Sequence, residues 1–266
     1  MNEYIGTLGS LFDGSGTCPL AASMVGIKPV WASEIEDYPM RVTKKNFPDM
    51  LHLGDITKID GGKIPPVDII TGGSPCQDLS VAGKRAGIHE GERSHLFFEM
   101  CRVIEEMRNA TNGEYPKYVI WENVPGALSS GKPKGGDFYA VIQSFAEIAD
   151  PGIHVPEPPK GKDGRYIWKQ AGSVVGDGFS IAWRVMDAKF WGVPQRRKRI
   201  FMCVEYRRVS NPPHSEQVIG YPDVGCAGKV LFERSGLRRN TAEKFGAREE
   251  ITGNLRDGTE TSDQPG

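Results

Sequence analysis

Three short stretches carry side chains suited to covalent chemistry on a planar substrate. In GGSPCQDLS (72–80) a cysteine, Cys76, follows a proline in a glycine-rich turn directly after the apolar run VDIIT (67–71). In YVIWENVPG (118–126) a second apolar run delivers the polar pair Glu122-Asn123, and in VPQRRKRIF (193–201) Arg197 and Arg199 recur with period two on entering a third. A free thiol ionises near pH ~8.5, so a small fraction is thiolate at neutral pH, and that fraction is a strong nucleophile. Period-two spacing sends both guanidinium groups to one face of a strand, and their fork geometry suits planar partners. Thiol, carboxyl and paired guanidinium groups together read as a reaction centre. Each also has a plainer reading: a cysteine as inert core, a carboxyl as a turn cap, a basic run as solvated surface.

A second group of residues has the spacing of a nucleoside-cofactor site. LFDGSG (11–16) presents Phe12, Gly14 and Gly16 as Phe-x-Gly-x-Gly between an apolar run and a helix-like segment. Glycines there let backbone approach a ligand at a helix N-terminus, although the same pattern makes an ordinary tight turn. Glu34 in ASEIED (32–37) follows about twenty residues on, where an acidic residue grips ribose hydroxyls. Asp55 in LGDIT (53–57) reads either as a turn cap or as an acceptor for an adenine amino group.

These groups lie at the ends of elements that alternate along the chain. YIGTLGSLF (4–12), PVWASEI (29–35), VDIITGG (67–73) and YVIWENV (118–124) are strand-like. CPLAASMVG (18–26), YPMRVTKKNF (38–47), HLFFEMCRVIEEMRNA (95–110) and DFYAVIQSFAEIA (137–149) are helix-like. Such alternation predicts βαβ units, hence an α/β fold with a mostly parallel, doubly wound sheet, whose ligands bind beyond the carboxyl ends of the strands. SIAWRVMDA (180–188) and RIFMCVEY (199–206) are further strands, and the Pro-, Gly- and Lys-rich segment 150–178 reads as an inserted loop. From 207 onward patterning weakens, and TGNLRDGTETSDQPG (252–266) reads as a polar tail. Residues 1–206 thus read as a catalytic domain, and 207–266 as a partly flexible linker or the start of an incomplete further region. There is no internal repeat.

Composition excludes several classes. No run approaches the ~20 apolar residues of a membrane helix, and the N-terminus has no basic stretch ahead of a long apolar one, so the expected location is the cytoplasm. Five cysteines (Cys18, Cys76, Cys101, Cys203, Cys226), far apart and without a Cys-x-x-Cys pair, suggest neither a disulfide framework nor a metal site. Cys18, Cys101 and Cys203 read as core residues. A net charge of −1 leaves any affinity for phosphates to local clusters such as GKR (83–85) and QRRKR (195–199).

Taken in order, FDGSG, ASEIE, GDIT, GGSPCQDLS, HLFFE, WENVPG and QRRKR closely resemble the DNA (cytosine-5)-methyltransferase family, over residues 5–206. The resemblance implies a Rossmann-like S-adenosyl-L-methionine-dependent methyltransferase fold. It places the cofactor against Phe12, Gly14 and Gly16, with Glu34 on the ribose, Asp55 and Ile56 around the adenine, and Pro75 and Leu96 completing the pocket. Ile35 stands where some members pack an aromatic on the adenine. A target cytosine would be extruded from double-stranded DNA. Cys76 would add to its C6, protonated Glu122 would bond N3, and Arg197 with Arg199 would hold O2 and fix Glu122. The stretch SVAGKRAGIHEGERS (80–94) matches the family's mobile loop, with Ser80, Lys84 and Arg93 positioned for phosphates; without the family it is a polar loop.

The sequence also departs from the family. Ser10 replaces an acidic residue common before Leu-Phe, and the 150–178 segment lengthens one connection. The small target-recognition domain and the last two motifs are not found, so the chain reads as C-terminally incomplete, its missing part continuing the chain or carried by a second polypeptide. The resemblance implies cytosine-5 methylation in a restriction-modification or phage-type system; the alternatives are a remnant that binds cofactor or DNA without turnover, methylation of RNA by the same chemistry, and a generic Rossmann oxidoreductase.

Overall fold

The structure, a computed structural model, describes residues 4–74, 95–207 and 218–220. In chain order the elements are β1 (Gly6–Leu11), α1 (Thr17–Met24), β2 (Ile27–Ser33), α2 (Asp37–Asn46), β3 (Leu51–His52), β4 (Ile69–Gly72), α3 (His95–Ala110), β5 (Tyr118–Asn123), α4 (Gly136–Ala149), β6 (Ala171–Gly176), β7 (Phe179–Asp187), β8 (Lys198–Tyr206) and β9 (Val218–Gly220). The strands form one sheet in the order β3-β2-β1-β4-β5-β8-β7-β6-β9. β1 to β5 pair in parallel, and β8, β7, β6 and β9 follow with alternating direction. Only β8 and β6 therefore oppose the common direction, which is the mostly parallel α/β sheet that the alternating pattern predicts. Among the described residues no helix is long and apolar enough to cross a membrane.

Right-handed crossovers and the reversal of strand order at β1/β4 put α1 and α2 on one face and α3 on the other. The second face holds the larger core. Phe97, Met100, Ile104 and Met107 of α3 recur at helical spacing and are buried, and Phe97 meets Trp121 of β5 and Phe145 of α4 edge-on. Fully burying each such side chain contributes roughly 1.5–3 kcal/mol. On β1, a Cβ at Gly9 would overlap the Trp31 indole, so close packing with β2 requires glycine there.

The 150–178 segment is not simply a loop. Its last third is β6, joined to β7 by the two residues Asp177-Gly178 between the paired Gly176 and Phe179. Asp-Gly between apolar runs is a strong hairpin signal, masked here by the proline- and glycine-rich sequence ahead of it. The rest is tethered to α4: Tyr139 donates to the Val155 carbonyl at 2.6 Å, Gln143 to the Ile153 carbonyl at 2.6 Å, and Trp168 to the Gly135 carbonyl at 2.8 Å. Beyond Arg207 only β9 is described, as an edge strand on β6.

Candidate active site

The first part of the site forms where the strand order reverses, between β1 and β4, a crevice that open α/β sheets use for ligands. β1 runs into Phe12 (φ 55°), Gly14 (φ 58°) and Gly16 (φ 84°), the last being the N-cap of α1. Glycine adopts such angles freely; Phe12 is strained there, and strain of this kind clusters at ligand sites. The Gly14 N–H donates to Glu34 Oε2 at 2.8 Å, joining two motifs that lie 20 residues apart. Glu34 Oε1 accepts from the N–H groups of Ile35 and Glu36 at 2.8 and 3.0 Å. Beside it the Ile35 side chain is exposed.

Asp55 caps the turn that follows it. Its Oδ1 accepts from the Thr57 N–H at 3.0 Å and from the Thr57 hydroxyl at 2.8 Å, and these bonds hold its carboxyl below the usual aspartate range. Its Oδ2 has a 3.9 Å contact with Lys58 Nζ. The Ile56 side chain is buried in the core, so only its backbone is left to meet a ligand. Leu96, in the first turn of α3, is partly buried against the same core.

Below the glycine turn lies a polar set to which the sequence reading gave no role in binding. Among the described residues, Ser10 Oγ, Asp13 Oδ1 and Thr71 Oγ1 are buried without a well-formed hydrogen bond, although Ser10 lies near enough to Asp13 to favour its charged form; Ser10 pairs with Thr71 across β1/β4. Asp13 Oδ2 accepts from Thr43 at 3.3 Å, and burial pushes the Asp13 carboxyl above its usual value. Unpartnered buried polar atoms are rare in native folds and call for an explanation. The signal available in sequence was a serine, an aspartate and a threonine at the ends of otherwise apolar strands. Cys18 also departs from expectation. It is exposed at the start of α1 rather than in the core. Cys101 and Cys203 are buried as expected.

The second part forms at the ends of β4 and β5. Trp121 and Asn123 point into the molecule, and both reach Ser74: the indole N–H donates to the Ser74 hydroxyl and the Asn123 amide to the Ser74 carbonyl, each at 3.4 Å. Asn123 Oδ1 also accepts from the Val124 N–H at 2.7 Å. These bonds fix the chain as it leaves β4. Glu122, between them, turns to the other face, where a Cβ on Gly73 would meet its Oε2 at 3.1 Å. Its Oε1 takes a 2.8 Å ion pair from Arg199 Nε.

Arg197 is placed differently. It precedes β8, its side chain is exposed, and its carbonyl accepts from the Ala188 N–H at 3.0 Å. Of the two arginines, Arg199 is the one seen on Glu122 among the described contacts. Pro75, Cys76, Ser80, Lys84 and Arg93 lie outside the described residues.

With this geometry, comparisons with known proteins converge. The profile of a family described as C-5 cytosine-specific DNA methylase matches residues 6–149 and 162–224; the break falls inside the segment read as inserted. The DNA N-6-adenine-methyltransferase of Escherichia phage P1 is 33% identical over 253 residues, covering 89% of this chain and 31% of that protein. The Type II methyltransferase M.NlaIV of Neisseria lactamica is 35% identical over 178 residues, covering 67% of this chain and 34% of that protein. The chain thus spans about a third of the length of these curated relatives. The crystal structure of S. pombe Dnmt2 methyltransferase shares the fold, with a TM-score of 0.52 over 78% of this chain and 52% of that one at 15% identity.

Proposed function

Since this chain belongs to the C-5 cytosine-specific DNA methylase family, we propose that it transfers a methyl group from S-adenosyl-L-methionine to carbon 5 of cytosine in double-stranded DNA, through a covalent bond from Cys76. The observation that carries the reading is Glu122, held by Arg199 at 2.8 Å and set against Gly73, in a chain whose Cys76 follows Ser74 by two residues.

Carbon 5 of cytosine is a poor nucleophile until its ring is made electron-rich. The Cys76 thiolate forms a bond to C6, and the electron pair displaced from the C5–C6 double bond moves into the ring. Glu122 gives its proton to N3 as that charge develops, and Arg199 keeps the carboxyl oriented while it does so. C5 can then take a methyl group. S-adenosyl-L-methionine, when bound, would supply that methyl group from its sulfonium sulfur, with a neutral thioether as the leaving group. Loss of the C5 proton to solvent reforms the double bond, expels Cys76 as thiolate and returns the N3 proton to Glu122. Splitting one difficult step into easier ones is what covalent catalysis contributes.

The residues fit this cofactor. Glu34 suits the ribose hydroxyls, the N-terminus of α1 after Gly14 and Gly16 suits the methionine carboxylate, and Ile35 offers an exposed apolar face to the adenine. Asp13 Oδ1, with Ser10 and Thr71 beside it, suits the methionine ammonium, whose N–H donors would satisfy atoms that are buried without a well-formed hydrogen bond among the described residues. Pro75 and Leu96 close the pocket, and Ser80, Lys84 and Arg93 meet DNA phosphates. Residues 1–206 with β9 form the catalytic domain, working in the cytoplasm within a restriction-modification or phage-type system.

The phage P1 relative's name points to a second product, N6-methyladenine. An exocyclic amine attacks a methyl group directly and needs no thiol, so the Cys76 and Glu122 pair favours carbon 5. Nucleoside mass spectrometry of duplex DNA after incubation with methyl-labelled cofactor decides between them. The expected product is 5-methylcytosine; label on adenine would overturn the proposal.

A further inference from the structure

On the antiparallel half of the sheet, β7 ends and β8 begins around a groove of about 840 Å³. Arg184, Lys189, Arg196 and Lys198 line it together with Phe190 and Trp191. The acidic residue in the lining, Asp187, is buried and accepts from the Lys189 N–H at 3.3 Å, so its charge is partly engaged at the turn. The rings are unusually open for their size: Phe190 is 76% exposed and Trp191 43%. Lys189 Nζ sits 4.4 Å from the centre of the Phe190 ring, a cation–π contact that holds cation and ring together.

The groove's position matters as much as its chemistry. Lys198 pairs with Asp187, and the next pair is Arg199 with Met186. Lys198 of the groove is thus next in sequence to the arginine that holds Glu122 and lies at the same end of the strands, with Met186, which pairs with Arg199, also in the groove lining. A chain with net charge −1 has here a local excess of cations beside exposed aromatic rings. Cations that track a phosphate backbone and rings on which bases stack are the two elements of nucleic-acid grooves.

We propose that this groove is a second DNA contact, in which Lys189, Arg196 and Lys198 take backbone phosphates next to the target nucleotide and Phe190 stacks on a base unpaired by its extrusion. It rests on DNA being the substrate, and it gives the catalytic half a grip of its own, sequence-independent because phosphates carry no base information. Each lysine or arginine on a phosphate releases condensed counterions, so the interaction is written in the salt dependence of binding.

The test is the dissociation constant of the full chain for a fluorescent duplex, by anisotropy without cofactor over a salt series. The combined variant Lys189→Gln, Arg196→Gln, Lys198→Gln should flatten the slope of log K against log salt by about one for each phosphate no longer neutralised. A control variant, Lys28→Gln, Lys45→Gln, Lys162→Gln, removes the same charge from exposed sites elsewhere and should leave the slope near the parent's. Phe190→Ala should weaken binding to a duplex with an unpaired target base more than to a fully paired one. Unchanged thermal unfolding and cofactor affinity show that the variants fold. A parent that does not bind duplex at low salt, or a groove variant whose slope equals that of the control, overturns the groove. Identification of the methylated base by mass spectrometry is independent of these slopes, so failure of the methylation proposal is distinguishable from failure of this one.

Discussion

Arg199 on β8 donates to Glu122 on β5 at 2.8 Å, across strands that run antiparallel with Glu122 paired to Phe201. The contact ties the parallel half of the sheet, which carries the cofactor crevice, to the antiparallel half, which carries the basic groove. It also separates Arg199 from Arg197, two residues that look equivalent in sequence.

Glu122→Gln preserves shape but cannot deliver the proton that N3 needs. Single-turnover methyl transfer should fall by ~10²-fold or more, the ordinary range for a missing general acid. Arg199→Lys keeps the charge and loses the planar fork, and should slow transfer by about tenfold; Arg197→Lys should have a smaller effect. Equal effects at the two arginines would remove the positioning role given to Arg199.

Glu34→Ala removes a carboxylate that now accepts from three backbone N–H groups. A charged hydrogen bond to ribose is worth about 1.5–3 kcal/mol, so calorimetry should show cofactor affinity reduced by roughly ten- to a hundredfold. The Gly14 turn also loses its tie to β2, so the unfolding midpoint should drop as well.

Asp13→Asn should have opposite effects on stability and affinity. Burial raises the Asp13 carboxyl above its ordinary value of 3.8, so the neutral form favours the fold. The stability it gives is fully present below the unfolded value and is lost as pH rises through the raised folded value. Asn at this position never ionises, so the variant should unfold at a higher temperature than the parent at pH 7, with the difference vanishing at low pH. Its affinity for S-adenosylhomocysteine should fall about tenfold or more, while 5′-methylthioadenosine, which lacks the amino-acid portion, should bind as before. Parallel losses for both ligands would place the ammonium elsewhere.

Much of this arrangement was legible in the sequence because period and punctuation agree with the fold. β4 and β5 are short apolar runs ending in glycine and in a polar pair, and the 20-residue interval from Gly14 to Glu34 is realised as a hydrogen bond, whereas the two-residue β3 left no pattern to read. What was not legible depends on which face a residue meets. The 150–178 segment looked like loop because glycine and proline dominate its first part, whereas its strand is specified by pairing with β7. Cys18 looked apolar enough for a core, but at the start of α1 it is exposed. Asp55 had two readings in sequence; the cap is seen, with its Oδ1 taking an N–H and a hydroxyl from Thr57, while the role toward adenine concerns its Oδ2 and stays a proposal. Arg197 lies one residue ahead of β8 with its side chain exposed, while Arg199 holds Glu122.

The central claim is that Cys76 attacks carbon 6 of cytosine, and trapping tests it most directly. Duplex DNA carrying 5-fluorocytosine, incubated with the chain and S-adenosyl-L-methionine, cannot lose a proton from carbon 5, so the covalent complex should persist through denaturation. Peptide mass spectrometry should locate the modified base on Cys76, and Cys76→Ala should give no complex while still binding cofactor. No adduct with the parent chain, an adduct on another residue, or an adduct that survives in Cys76→Ala would contradict the account.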